Sequence, residues 1–426
     1  MIRVCDAIMG TGKSSASITY MNEHKWRKFI YITPYLDEAE RIRTNCPDLH
    51  FVEPSNKLRE YDFRKRSHTA ALISEGRNIA TTHQSFKSYT PDMLDEIRKK
   101  EYTLMIDESV DVLETADFYE GDLQMAVDAG YVVESNGVYR EVPGKYRGGV
   151  MNEMFQLLHT RELVRLPGDG HSPVFFWALP PDLFTSFKDV FIMTYMFSGQ
   201  SLHHFLNIYN LPYEYIGIER DGDTYRFGEY PGYIPGYVSH LSDMIDIIDN
   251  ERLNMVGGNY TALSKSWYDR KDSGADDLKK DVSNFYNNIW RDIPASRRMT
   301  GTYKDGQSLI RGAGYSKSFI PFNAKATNAY RERDCLAYPV NVFMNVNEKR
   351  FYKLHGIDVD EDAYATSIMV QWIWRSAIRD GKKIHIYIPS SRMRGLLRKW
   401  IDHAGSDARE DMGIQKHTNE VRGDCG

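Results

Sequence analysis

Residues 7–16 read AIMGTGKSSA and fit the pattern [Ala/Gly]-x-x-x-x-Gly-Lys-[Ser/Thr]. These residue types at this spacing can cradle a phosphate chain. Gly10 and Gly12 let the backbone curl so that successive N–H groups converge on phosphate oxygens. Lys13 brings a cation to the β- and γ-phosphates, and Ser14 offers a hydroxyl to magnesium. With Thr11 and Ser15 they form the expected nucleotide-binding set. About 90 residues later, TLMIDES ends an apolar run on Asp107 and Glu108. Asp107 would hold the metal together with Ser14, and Glu108 would polarise the attacking water. The strand that ends on Asp107 is expected to lie beside the phosphate-loop strand. Either stretch alone also fits an ordinary turn. Their pairing within an alternating α/β pattern points to an ATPase.

A third constellation is ATSIMVQWIWRSAIRDG. As one helix it places Gln371, Arg375 and Arg379 at i, i+4 and i+8 on a single stripe. Met369, Ile373, Trp374 and Ala377 fall on the other side, against a core. Arginines on one face suit an anion whose charge spreads over several oxygens during phosphoryl transfer.

The elements that must position these residues are legible in the first 110 residues. IRVCDAIM, KFIYITP, NIATTHQSF and YTLMIDES read as strands, and KSSASITYMNEH and LDEAERIR read as helices between them. This alternation predicts a mostly parallel sheet with helices on both faces. KDVFIMTYMFSGQ is a further buried strand, while residues 221–236 are turn-rich and predict a loop or insertion. ERLNMV, RRMTGTYK, KSFIPFN and KKIHIYIP are strand candidates of a second α/β unit. The expected division is residues 1–200, a linker or insertion at 201–250, and 251–426.

With 42% hydrophobic and 27% charged residues the composition is that of a soluble globular protein. The net charge of −5 demands no nucleic-acid partner, so any such surface must be a local basic patch. KLREYDFRKR, with Lys57, Arg59, Arg64, Lys65 and Arg66, is the candidate. Cys5, Cys46, Cys335 and Cys425 lack paired spacing, which argues against a zinc site and suits the cytoplasm. No membrane span or signal peptide is expected.

The order of these segments resembles the superfamily 2 helicases, and AKATNAY and QWIWRSAIRDGKKIHIYIPSSRMR look like a group of phage-encoded members. AIMGTGKSS is similar to their motif I, MIDES to motif II, and QWIWRSAIR to motif VI. YITPY resembles motif Ia, ATTHQSF the segment before motif II, IMTYMF motif III, and AKATNAY motif V. The resemblance implies two RecA-like parallel-sheet domains with an ATP cleft between them. It implies ATP and magnesium as cofactors, with Glu108, Gln371, Arg375 and Arg379 catalytic. It also implies a nucleic-acid track at Thr33, Pro34, Thr81, Thr82, His83, Thr327 and Asn328.

The implied activity is a translocase or helicase on single-stranded or forked DNA, or RNA, alongside phage or host replication proteins in the host cytoplasm. An ATP-switched loading protein and a genome-packaging ATPase are the rival readings. Three departures stand out. Bulky Tyr195, Met196 and Phe197 follow Thr194 in motif III. The last two arginines of motif VI are four apart rather than three, with Arg375 the better match to the γ-phosphate finger. The upstream segment that reads adenine in one branch has no counterpart, so loose base selectivity is expected and GTP stays open.

Overall fold

The computed structural model describes residues 1–118, 120–167, 173–230, 241–270, 274–324 and 329–403. Their contacts divide into two units, the first comprising 1–230, 323–329 and 343–375, the second the remainder.

The first unit is built on a seven-stranded sheet in the order β12-β11-β1-β10-β4-β2-β3. Its strands are β1 (Ile2–Asp6), β2 (Phe29–Thr33), β3 (Ile79–Thr82), β4 (Thr103–Asp107), β10 (Asp189–Thr194), β11 (Tyr213–Asp221) and β12 (Thr224–Gly228). All neighbours are parallel except the β11–β12 hairpin. Every residue of β2, β4 and β10 is buried, which is why these strands read as unbroken apolar runs in the sequence. The β1–β10–β4 register corrects one expectation: β4 is not beside β1, because β10 lies between them. The β1 and β4 backbones are thus two strand spacings apart, roughly 9–10 Å.

Between β4 and β10 the chain inserts a five-stranded antiparallel sheet, ordered β5-β9-β8-β7-β6. It comprises β5 (Leu113–Thr115), β6 (Val132–Ser135), β7 (Val138–Glu141), β8 (Glu162–Leu166) and β9 (Val174–Ala178). Its strands alternate. Leu163, Phe175 and Trp177 pack with Met154, Phe155 and Leu158 of helix Asn152–Leu158. Val164, Leu166, Phe176 and Ala178 pack with Met344 and with Phe351 and Tyr352 of helix Val346–Leu354. That second contact draws residues 343–375 into the first unit.

The second unit carries a parallel sheet in the order β13-β17-β16-β14-β15. Its strands are β13 (Ile245–Ile247), β14 (Arg298–Thr302), β15 (Phe319–Pro321), β16 (Cys335–Ala337) and β17 (Ile384–Tyr387). Trp267, Leu278, Phe285, Tyr286 and Tyr387 form its core.

Three further expectations are corrected. The boundary at residue 200 falls inside the first unit, since Leu202, Phe205 and Leu206 join its core and β11 pairs with β1. The expected loop after Asp221 contains β12, which closes a hairpin through Gly222 at φ 60°. ERLNMV is helical at its start, because the Asn250 side chain accepts from Leu253 N and caps the turn. No helix among the described residues is long and apolar enough to cross a membrane.

Helix Glu361–Ile373 docks closely on the turn after β10. A Cβ on Gly199 would lie 2.8 Å from the Ala363 carbonyl carbon and 3.0 Å from Tyr364 N. Because both neighbours are helix backbone, Gly199→Ala is expected to lower stability by about 1–3 kcal/mol. Urea unfolding checks this, and an unchanged midpoint would contradict it.

Candidate active site

The phosphate-loop stretch follows β1, Asp107 and Glu108 end β4, and Gln371 and Arg375 come from helix Glu361–Ile373 and the turn after it. Gly10 and Gly12 both take positive φ, 86° and 96°, as the curl requires. Gly12 caps helix Lys13–Glu23 without offering a side-chain acceptor, so the helix's first N–H groups face an incoming anion. The Thr11 hydroxyl donates to Ile8 O at 2.7 Å and steadies the loop. Lys13, nearly buried, folds its ammonium back onto the carbonyls of Ala7 and Ile8, the latter at 3.2 Å. Burial lowers its pKa, opposed chiefly by Glu108.

Ser14 Oγ lies 3.5 Å from Asp107 Oδ1. A hydroxyl and a carboxylate at that separation fit the shared shell of a magnesium ion. Asp107 is buried, and its pKa is raised to about 7, mainly by desolvation and then by Glu38 and Glu108. Glu108 takes a left-handed conformation at φ 63°, held by its N–H donating to Met193 O of β10 at 2.9 Å. Its Oε1 lies 3.4 Å from Arg375 Nη2, and both side chains are buried. Arg375 Nε is buried without an acceptor.

The turn after β10 is braced from three sides. Asp6, at the end of β1, accepts from the N–H groups of Met196 and Phe197 at 2.8 and 3.0 Å. It thereby holds Met196 at φ 54°. Gln200 Nε2 donates to Thr194 Oγ1 and Tyr195 O at 2.9 and 2.7 Å. Gln371 Nε2 reaches the same Tyr195 carbonyl at 3.5 Å. Gln371 is therefore placed against the turn after β10, whereas Arg375 is placed against Glu108.

Gln371, Arg375 and Arg379 do not share a helical stripe. The helix ends at Ile373, Ser376 is extended, and Arg379 lies in the short turn Ala377–Asp380 of the second unit. The extended backbone at Ser376 interrupts the i, i+4 ladder, so the stripe cannot continue to Arg379.

The expected nucleic-acid track also changes. Thr33 and Thr81 are wholly buried, and neither hydroxyl has a partner among the described residues. Thr82 instead caps the next helix, accepting from Ser85 N. His83 is buried with Nε2 donating to Asp107 O at 2.9 Å, so it braces the carboxylate strand. Pro34 is half-buried at the end of β2. Thr327 and Asn328 lie outside the described residues. The sequence reading missed Asp6, Gln200 and Glu38. Only Asp6 carries a local signal, an acid one residue ahead of the phosphate loop.

A family model described as the YonV C-terminal Rossmann-like domain matches residues 239–401. A relative, the SPbeta prophage-derived uncharacterized protein YonV of Bacillus subtilis, is 34% identical over 412 residues. That alignment covers 94% of this chain and 99% of the relative. The chain belongs to the YonV family. Solved structures similar to this YonV-family chain include an XPD helicase, at 9% identity and TM-score 0.47 over 93% of this chain and 95% of that one. Another is S. tokodaii Xpd4, at 11% identity and TM-score 0.46 over 98% and 94%.

The raised Asp107 pKa has a definite sign. The metal-free folded state holds this proton more tightly than the unfolded chain, whose carboxyl titrates near 3.8. The stabilisation it confers is complete below that value and is lost as pH rises through about 7. Asp107→Asn is therefore expected to raise the metal-free melting temperature, and to raise it more at pH 8 than at pH 5.5. Thermal unfolding in EDTA at the two pH values checks this, and equal shifts would contradict it.

Proposed function

We propose that this chain hydrolyses Mg-ATP and couples turnover to movement on a nucleic-acid strand, as a translocase or helicase. The observation that carries the reading is the convergence of Lys13, Ser14, Asp107, Glu108 and Arg375 at one end of one sheet. The loop N–H groups seat the phosphates, and Lys13 exchanges its two backbone carbonyls for β/γ oxygens. Ser14 and Asp107 hold magnesium, which neutralises charge on those oxygens when bound. Glu108 orients water once Arg375 releases it, and the freed guanidinium stabilises charge on the transferring group.

Gln371, on the helix that leads to Arg375, reports the state of the turn after β10. We assign the nucleic-acid contact to the basic stretch that the sequence singled out. Val52 bridges Ile79 of β3 in parallel, so the chain beyond it emerges at the same end of the sheet as the phosphate loop. There Lys57, Arg59, Arg64 and Arg66 are exposed and Lys65 half-buried, against only Glu60 and Asp62. Asp62 and Phe63 take φ 53° and 55°, and the Phe63 ring is 59% exposed. A cationic turn displaying an aromatic ring suits a phosphate backbone with an unstacked base. The relative is prophage-derived, and we place this activity in phage DNA metabolism in the host cytoplasm.

Single-stranded DNA is expected to raise ATP turnover, and a tailed duplex to be separated. Lys13→Ala should abolish both, and near-normal hydrolysis by the folded variant would overturn the site. Stimulated turnover without strand separation would favour a loading protein. Arg375→Ala should lower kcat by roughly 10³-fold or more with a small change in ATP affinity, and lysine should not rescue it. Full turnover would pass the role to another arginine, such as Arg379.

Replacing Lys57, Arg59 and Arg64 by glutamine should weaken single-strand binding. It should also flatten its salt dependence by about 0.7 per lost phosphate contact. Unchanged affinity and slope would remove this segment from the interface.

A further inference from the structure

The β11–β12 hairpin reaches the phosphate loop. β12 packs along helix Lys13–Glu23, with Phe227 stacked on Phe191 at 5.2 Å and beside Tyr20 at 6.0 Å. Two residues earlier on the same face, Tyr225 lies directly against Gly12. A Cβ on Gly12 would fall 2.2 Å from Tyr225 Cδ1 and 2.6 Å from Cε1. Only a residue without a side chain admits that ring. Arg220 is the cross-strand partner of Tyr225, and its guanidinium carbon stands 5.6 Å from the ring centroid. The Arg220 side chain is 63% exposed, its Nε donates to Gly222 O at 2.9 Å, and its Nη2 stands 3.9 Å from Asp223. The ring is thus held against the loop, and an exposed guanidinium anchored by one backbone hydrogen bond lies over it.

We propose that Tyr225 and Arg220 form the base platform of the nucleotide site, a role that rests on the phosphate-loop reading above. With the phosphates on Gly12 to Ser15, the nucleoside leaves the loop beside the helix's first turn, where β12 runs. The base takes the outer face of Tyr225, and Arg220 closes over it as a planar cation. Stacking on a π-face carries no hydrogen-bond code for one base. The platform therefore selects nucleoside triphosphates over inorganic tripolyphosphate, and accepts adenine and guanine nearly alike.

The test is calorimetric titration of the full chain, with magnesium, using ATP, GTP and inorganic tripolyphosphate. The wild type is expected to bind ATP and GTP within about threefold of one another. Tyr225→Ala should weaken both about 10-fold and leave tripolyphosphate unchanged, while Tyr225→Phe should stay near wild type. Arg220→Ala, at an exposed position that does not threaten folding, should weaken both nucleotides by a smaller factor.

Unchanged ATP affinity in both Tyr225→Ala and Arg220→Ala would overturn the platform. So would an equal loss of tripolyphosphate, which would mean that Tyr225 only shapes the loop. The phosphate-site reading fails by a different result: ATP binding that survives Lys13→Ala, or a wild type that binds none of the three ligands.

Discussion

Two carboxylates and two cations share a nearly dry corner at the end of the first sheet. Lys13, Asp107, Glu108 and Arg375 are each less than a tenth exposed. Burial of isolated charges is costly, and these offset one another only in part. The imbalance shows in Asp107, whose carboxyl is pushed up to about 7, and in Lys13, whose ammonium is destabilised. A polyphosphate with its magnesium would supply the missing charges. The surrounding fold holds these groups in place despite that cost.

That holding falls to elements with no chemistry of their own. β10 sits between the phosphate-loop strand and the carboxylate strand, and sets their separation. His83 ties down the Asp107 carbonyl, and Asp6 pins the turn after β10. The antiparallel insertion takes helix Val346–Leu354 on its second face. It thereby anchors the stretch of chain that ends in Gln371 and Arg375 to the unit bearing the loop. This antiparallel insertion therefore helps bring the arginine to the glutamate.

The central strands were legible because burial on both faces leaves continuous apolar runs with no competing pattern. The turn after β1 and the acidic pair ending β4 were legible as strand ends because glycines or charges close each apolar run. The hairpin was hidden, since the glycines and aspartates that make its turn look the same as those of a loop. The insertion was hidden too, because its strands are three to five residues long and alternate only briefly. Thr33 and Thr81 were misread for a different reason. A hydroxyl at a strand end is equally able to face solvent or core, and only packing decides. The arginine stripe failed because the helix ends at Ile373 and Ser376 is extended, a break that the spacing of this run does not show.

The central claim is that this corner is a hydrolytic site in which Glu108 acts on water and not on nucleotide. Single-turnover hydrolysis by Glu108→Gln, with Mg-ATP binding measured on the same sample, tests it most directly. The account predicts binding close to wild type with a cleavage rate lower by 100-fold or more. Cleavage at the wild-type rate, or loss of binding with cleavage per bound ATP intact, would contradict it.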